Sequence, residues 1–298
     1  MSEITSTGFT RSSSIIGAAW LVLAGSAFAF ANVAMQWSTM VLGMGSASAT
    51  FWQYFIGFLI MLPMVWRLGF SALKTKRPVL HLVRVVLAAL GVQAWVAGLS
   101  SGVPIWQSIA LVMTSPFFVT IGASLFLGES AGLKRWVATA TGFAGGMIIL
   151  APWSDAFTYN AVWPIVAAFL WGSSVLCMKA LEQDESPQSV TLYLLLFMVP
   201  INLALAAGTG FEMPETSTLW MLLIAAGILG AIANGALALA YSKAEAAFLQ
   251  PFDHIKLLLN VACGFVFFGW VPPGNLWIGA FLIIAASLYL VRSDDART

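Results

Sequence analysis

The sequence predicts an all-α integral membrane protein with ten transmembrane helices arranged as two inverted five-helix repeats. Three observations support this fold class: a composition unlike that of soluble domains, uncharged runs long enough to cross a bilayer, and similar segments that recur at a fixed spacing. Of the 298 residues, 60% are hydrophobic and only 8% are charged. Soluble domains carry about 25% charged residues, so the composition excludes a water-soluble fold.

The spans are counted from the runs without charge, because a helix needs roughly 20 apolar residues to cross the hydrocarbon core. Residues 12–66 hold two spans that break in the Gly/Ser stretch 43–48, and residues 85–128 hold two more that break at 100–104. Six single spans follow at about 136–153, 156–178, 186–211, 216–242, 246–270 and 276–291. The predicted total is ten.

Basic residues mark one side of the membrane. Of the 13 Lys and Arg residues, all except Lys256 fall in the tails, in alternate loops on one side, or at the adjoining span ends. The loops on the other side hold Asp155, Glu212 and Glu215 and no basic residue. Because basic loops stay in the cytoplasm, both tails, residues 1–14 and 292–298, are predicted to be cytoplasmic. The first apolar run is too long for a cleaved signal peptide and predicts a retained helix.

Similar segments recur 141 residues apart. The sequence LFLGE at 125–129, followed by Trp136, aligns with VFFGW at 266–270, followed by Trp277. At the same spacing, SAFAF at 26–30 aligns with AAFLW at 167–171. This spacing predicts two five-span repeats, residues 15–153 and 154–291. Because five is odd, the second repeat enters the membrane with opposite polarity, an arrangement typical of secondary transporters.

Short motifs in both repeats resemble a known family. Phe28-Ala29-Phe30 in span one, Phe169-Leu170-Trp171-Gly172 in span six and Leu127-Gly128-Glu129 at the end of span four resemble the drug/metabolite transporter superfamily, EamA type. The resemblance covers essentially the whole chain, with one departure at Gly269-Trp270, where that family usually repeats Gly-Glu. It implies a carrier in the bacterial cytoplasmic (inner) membrane. Within the superfamily the chain looks most similar to bacterial exporters of amino acids, including the aromatic amino acid exporter group.

Span nine carries the ionisable residues expected to face a wet cavity, because a charge at the bilayer centre is costly and is usually functional. Asp253, Lys256 and Asn260 follow one helical stripe. In an amino-acid carrier Lys256 would bind the substrate carboxylate and Asp253 the ammonium. Alternatively, the two side chains only neutralise each other at i, i+3. His254 projects from an adjacent face and is expected to be a hydrogen-bonded structural histidine.

Uncharged polar and aromatic residues within the other spans complete the predicted substrate pathway. These are Asn32, Gln93, Trp95, Ser115, Trp163, Trp171 and Asn234, while Gln36 and Trp106 also lie within spans. For the tryptophans, packing competes with ligand stacking as an explanation, although an aromatic pocket suits an amphipathic cargo. Pro116 and Pro251 interrupt spans four and nine and are hinge candidates, because proline removes a helical hydrogen bond.

The sequence therefore favours a secondary carrier that exports small amphipathic metabolites, amino acids foremost, by alternating access. Drugs and other metabolites are alternative cargoes. An intramembrane enzyme is disfavoured because the chain has neither an HExxH motif nor a pair of intramembrane carboxylates. A channel is disfavoured because inverted repeats suit alternating access better than a fixed pore.

Cofactors and macromolecular partners are not expected from the composition. Cys177 and Cys263 are too few for a cysteine metal site, and we expect no metal or cofactor. A net charge of +1 without a clustered basic face argues against nucleic acid. A small-molecule substrate and the lipid bilayer remain as the predicted partners.

Overall fold

A computed structural model describes residues 11–68, 75–126, 133–151, 153–154, 157–181, 185, 187–241, 243, 252 and 255–295. Among these residues the regular structure is entirely helical. The helices are α1 (Arg11–Gln36), α2 (Ser46–Leu68), α3 (Pro78–Ser100), α4 (Ile105–Val112), α5 (Ser115–Phe126), α6 (Leu133–Leu150), α7 (Val162–Leu181), α8 (Pro187–Thr209), α9 (Ser217–Tyr241), α10 (Ile255–Phe268) and α11 (Gly274–Asp295). A π-helical turn, Trp37–Val41, extends α1, and a 3₁₀ turn, Tyr159–Ala161, precedes α7.

These helices correspond to the ten predicted spans, with α4 and α5 together forming the fourth. Five helical stretches in the described part of the chain are each long and apolar enough to cross a bilayer. They are Ile15–Val41, Pro78–Ser100, Ile105–Gly122, Tyr159–Met178 and Ser217–Leu237. In span nine the described helix is α10, Ile255–Phe268. The all-helical, ten-span fold class is confirmed.

Helix boundaries repeat at the spacing found in the sequence. Helices α2 and α8 begin at 46 and 187 and end at 68 and 209, so both ends are 141 residues apart. Helices α6 and α11 begin at 133 and 274, again 141 apart. The bounds of these described helices agree with a duplication at that spacing.

The two halves pack mainly against each other. Helix α1 lies along α9, and its counterpart in the second half, α7, lies along α3. Helix α6 packs on α11 and α2 packs on α8, so each of these helices meets its own counterpart. In membranes such close packing replaces the hydrophobic effect as the main driving force for helix association. The pattern has the two-fold symmetry that inverted repeats require.

The two ends of the bundle differ in charge. The loops that precede α3 and α8 share one end, where Lys76 and Arg77 lie, and we call it the basic end. The loops that precede α2, α4, α7, α9 and α11 share the opposite end, where Glu212 and Glu215 lie, and we call it the acidic end. Gly43 (φ +75°) and Gly102 (φ +83°) form turns at this end in a backbone conformation that side chains with a Cβ disfavour. They coincide with the two breaks expected near 43–48 and 100–104.

The fourth span is broken just before Pro116. Helix α4 ends at Val112 and α5 begins at Ser115. Proline has no N–H to donate to the carbonyl four residues earlier, which is that of Val112. The break therefore lies where the hinge candidate predicts one; a hinge motion there stays a prediction. Pro251, the other hinge candidate, lies outside the described residues.

Helices α6 and α11 cross at two glycines, which gives a stability prediction. A Cβ on Gly279 would lie 2.5 Å from the carbonyl oxygen of Gly145, and a Cβ on Gly145 would lie 2.6 Å from that of Gly279. Gly279→Ala must therefore separate two backbones, and we expect it to destabilise the fold by about 1 kcal/mol. In detergent this lowers the thermal unfolding midpoint by roughly 2–4 °C.

The matched control for this crossing is Gly235→Ala in α9. A Cβ at Gly235 meets no atom within 4 Å, and alanine is the better helix former. We expect its unfolding midpoint to equal or exceed that of the parent chain. Equal midpoints for the two alanine variants would contradict the close crossing.

Candidate functional site

An amide pair joins the first and second halves inside the bundle. The Asn32 side chain of α1 donates from Nδ2 to Oδ1 of Asn260 in α10 at 3.1 Å. Asn260 in turn donates to the carbonyl oxygen of Lys256 at 2.7 Å and is only 1% exposed. The sequence predicted both asparagines for the pathway, and the structure brings them into contact.

A second amide pair lies between α3 and α8. Gln93 donates from Nε2 to Oδ1 of Asn202 at 2.9 Å, and Asn202 donates to the carbonyl oxygen of Met198 at 2.7 Å. Asn202 is fully buried. Sequence reasoning missed this residue, although an amide in an uncharged span is the same signal that selected Gln93. Both pairs therefore place hydrogen-bonding amides across the interface of the two halves.

Two tryptophans form an aromatic wall between α3 and α7. The ring centroids of Trp95 and Trp171 are 6.1 Å apart at an interplanar angle of 39°. Trp171 lies directly over Gly91, where a Cβ would approach its ring to within 2.7 Å. Trp95 is buried and Trp171 is half-buried. A tilted pair of this kind offers large apolar area together with two indole N–H groups.

A further polar layer lies one helical turn nearer the acidic end than the Asn32–Asn260 pair. Gln36 of α1 is fully buried and donates from Nε2 to the carbonyl oxygens of Leu99 at 3.0 Å and Val103 at 2.8 Å. Trp106 of α4 is also buried and packs on Gly264 of α10, where a Cβ would lie 3.0 Å from the indole ring. Phe268 and Trp270 stack beside this layer with centroids 4.7 Å apart.

Other residues predicted for the pathway are not brought into these clusters. Trp163 is 44% exposed near the acidic end of α7. Asn234 is exposed on α9 and donates to the carbonyl oxygen of Gly230 in its own helix. Ser115 lies against Gly172 of α7, where a Cβ would be 3.2 Å from the serine carbonyl oxygen. For these three, a place in the pathway stays a prediction.

The charged stripe of span nine is only partly described. Lys256 is half-buried near the start of α10, with its Cβ 3.7 Å from the position that a Cβ on Gly25 of α1 would take. Asp253 and His254 lie outside the described residues. A substrate contact by Lys256 and Asp253, and their alternative pairing, therefore stay predictions.

A carboxylate links the two halves at the basic end. Glu185, in the loop between α7 and α8, accepts hydrogen bonds from the Thr75 hydroxyl and from the backbone N–H of Lys76 at 3.1 Å. Its other oxygen lies 2.5 Å from Nε2 of His81 in α3, whose ring stacks on Tyr193 of α8. Burial raises the pKa of Glu185, but the hydrogen bonds from Thr75 and His81 outweigh it and hold the pKa below its ordinary value.

A second carboxylate links the halves at the acidic end. Glu212, in the loop between α8 and α9, accepts from the backbone N–H of Gly45 at 2.6 Å, directly before α2. The backbone of Glu212 also accepts from the Trp52 indole at 3.1 Å and donates to the Ser48 hydroxyl at 3.0 Å. Both glutamates thus meet the N-terminus of a helix of the first half, where the helix dipole favours negative charge.

Among the described residues, no group of three or more His, Cys, Asp and Glu side chains comes close enough to hold a metal ion. Cys177 and Cys263 are free thiols. The described side chains of the site are amides and indoles, which bind neutral polar groups and aromatic rings.

The model of the EamA-like transporter family matches residues 15–151 and, a second time, residues 159–292. The chain belongs to the EamA-like transporter family. It is therefore a membrane transporter and not an enzyme, as the sequence predicted. The double match agrees with two tandem repeats in this EamA-like transporter.

Three relatives are named for what they carry. A riboflavin transporter of Rhizobium johnstonii is 54% identical over 293 residues, covering 98% of this chain and 96% of the relative. A riboflavin transporter of Vibrio cholerae is 47% identical and covers 95% of both chains. An S-adenosylmethionine uptake transporter of Rickettsia bellii is 27% identical and covers 84% of both.

A solved crystal structure has the same fold as this EamA-like transporter. It superposes with a TM-score of 0.62 over 97% of this chain and 99% of the other, at 16% sequence identity. At that identity the likeness concerns the fold alone. It supports the helix arrangement described above.

Proposed function

We propose that this EamA-like transporter carries riboflavin across the bacterial inner membrane by alternating access between its two repeats. The observation that carries the proposal is the 54% identity to a riboflavin transporter over 98% of the chain. The uptake transporters for S-adenosylmethionine, although more distant, favour import over the export predicted from the sequence.

The chemistry of the site supports a neutral, planar, hydrogen-bonding cargo. Riboflavin has no net charge, a three-ring aromatic system with two carbonyls flanking a ring N–H, and a polyol chain. The pairs Asn32–Asn260 and Gln93–Asn202 supply amide donors and acceptors without net charge. The Trp95–Trp171 wall supplies area for an aromatic ring. A compact apolar site with a few placed polar groups is the usual form of a small-molecule site.

Amino acids, the cargo that the sequence predicted, are compared here with riboflavin. Their recognition was predicted from Lys256 and Asp253, which would bind the carboxylate and the ammonium. The named relatives do not support amino-acid export, and the described amide and indole groups offer no pair of opposite charges. A flavin fits these groups better because it needs neither charge.

The test is counterflow into proteoliposomes that contain the purified chain. We expect vesicles preloaded with unlabelled riboflavin to accumulate labelled riboflavin transiently and saturably, which a channel does not do. Labelled tryptophan, phenylalanine and threonine, each with its own preload, serve as comparison cargoes. Counterflow of an amino acid without counterflow of riboflavin would overturn the proposal.

We further propose that the basic end faces the cytoplasm, because basic loops are retained there. Residues 1–14 and 292–298 are then cytoplasmic tails around the repeats 15–153 and 154–291. In intact cells that produce the chain, Glu215→Cys is expected to react with an impermeant maleimide. Lys76→Cys is expected to react only after the cells are lysed. Both positions are exposed. The reverse pattern contradicts the orientation.

A further inference from the structure

Two buried polar atoms at the acidic-end layer lack a partner. The indole Nε1 of Trp106 and the amide Oε1 of Gln36 make no hydrogen bond with any described residue. Trp106 is 6% exposed and Gln36 is fully buried. A buried donor or acceptor without a partner destabilises the fold, so such atoms in a folded protein call for an explanation, and a ligand that pairs with them is one.

The orientation of Gln36 is set by its other amide atom. Nε2 donates to both Leu99 and Val103, which fixes the plane of the amide and points Oε1 away from these two carbonyls. The Nε2 group of Gln36 therefore stabilises the turn before α4, while Oε1 has no partner among the described residues. A rotation that satisfied Oε1 would break two hydrogen bonds.

Both atoms belong to one layer of the bundle. Asn32 and Asn260 are in contact, and α1 and α10 both run from the basic to the acidic end. One turn further along each helix are Gln36 and Gly264. Trp106 packs on Gly264, so its indole and the Gln36 amide lie at the same level, next to the amide pair of the site. The layer thus holds one buried donor and one buried acceptor that have no partner among the described residues.

We propose that Trp106 and Gln36 determine specificity by reading the imide edge of the cargo, the ring N–H with its neighbouring carbonyl. The indole N–H of Trp106 donates to the carbonyl oxygen, and Oε1 of Gln36 accepts from the ring N–H. The inference rests on the proposed function, since it takes a flavin as cargo. It adds that the site selects heterocycles with an unsubstituted imide and rejects those whose ring nitrogen is alkylated.

The test combines one variant with one modified cargo, both in the counterflow assay. Trp106→Phe keeps an aromatic ring on Gly264 and removes only the N–H. We expect it to raise the KM for riboflavin about tenfold, the effect of losing one buried hydrogen bond. Trp220→Phe, in the aromatic cluster around Trp52 at the acidic end, is the matched control and is expected to keep the parental KM.

The modified cargo probes Gln36 without any substitution. We expect N3-methylriboflavin to compete at least about tenfold more weakly than riboflavin with the parent chain, because the methyl group removes the donor that Oε1 accepts from. This measurement also stands if Trp106→Phe folds poorly. Equal competition by the two flavins, or an unchanged KM in a folded Trp106→Phe, overturns the inference and leaves the proposed function intact. No riboflavin counterflow by the parent chain overturns both.

Discussion

Asn260→Leu is expected to lower the initial rate of riboflavin counterflow at least about tenfold. Asn260 uses its amide oxygen for Asn32 and its amide nitrogen for the Lys256 carbonyl. Leucine removes both hydrogen bonds and leaves the half-buried Asn32 amide without its Asn260 acceptor, a loss of about 1 kcal/mol for each hydrogen bond. The proposed site also uses this amide pair to bind riboflavin, so the substitution weakens cargo binding as well. The measurement is counterflow at matched amounts of folded protein.

Asn234→Leu is the matched control for this substitution. Asn234 lies 141 residues after Gln93, and both were predicted for the pathway as polar residues within spans. The residue 141 positions before Asn202 is Met61, which offers no amide. In the described part of the chain Asn234 bonds to its own helix and is exposed, and we expect its replacement to leave the rate within about twofold. Equal losses in the two leucine variants would contradict a site confined to the paired amides.

A double variant separates folding from recognition. Asn32→Leu with Asn260→Leu removes both amides, so that no unpaired polar group remains buried, and replacing both partners can be nearly neutral for stability. We expect the unfolding midpoint to recover toward the parental value while counterflow stays low. Recovery of both quantities would show that the pair serves packing alone.

The helices were predictable because charge is so scarce in this chain. The gaps between charges gave the spans, and their edges fell close to the observed helix ends, as with α8 at 187–209 for a predicted 186–211. The repeat was also predictable, since similarity at one fixed spacing needs no structure. Both features are local or periodic, and a single sequence carries such information in full.

The contacts of the site were less predictable because they join residues that are far apart in the chain. Asn32 and Asn260 are 228 residues apart, and Gln93 and Asn202 are 109 apart. Sequence alone marked three of these amides as unusual in a membrane but could not pair them. It also missed Glu185, because a glutamate in a loop looks like any solvated charge until its contacts with His81 and the start of α3 are known. The proposed cargo rests on the named relatives and not on the charges of span nine.

Glu185→Gln is expected to lower the thermal unfolding midpoint in detergent at pH 7 by roughly 4–8 °C, the equivalent of about 2 kcal/mol. The substitution keeps an oxygen for the Thr75 hydroxyl and the Lys76 N–H. It places an amide NH₂ group or a weaker neutral acceptor opposite Nε2 of His81, where the carboxylate oxygen now lies at 2.5 Å. It also removes the negative charge from the N-terminus of α3, which such a charge stabilises.

The same contact makes stability depend on pH in a predictable direction. The hydrogen bonds of Glu185 hold its pKa in the folded chain below the ordinary value. A group with a lowered pKa contributes stability above its unfolded-state pKa and loses it as the pH falls through the folded-state pKa. The thermal unfolding midpoint of the parent chain is therefore expected to fall below about pH 4, as Glu185 becomes protonated. Glu185→Gln has no carboxylate at this position and is expected to show a smaller fall over the same pH range.

Glu215→Gln provides the comparison that isolates this contact from the general effect of removing a carboxylate. Glu215 is exposed at the acidic end, and we expect its replacement to leave both the midpoint and its acid dependence unchanged. Glu212→Gln, by contrast, removes the negative charge whose oxygen accepts from the Gly45 N–H at 2.6 Å. It is expected to lower the midpoint by less than Glu185→Gln, because Glu212 is exposed. Under the proposed alternating access, opening of either end would break the glutamate contact at that end. Parental stability and parental acid dependence in Glu185→Gln would contradict a structural role for the basic-end contact.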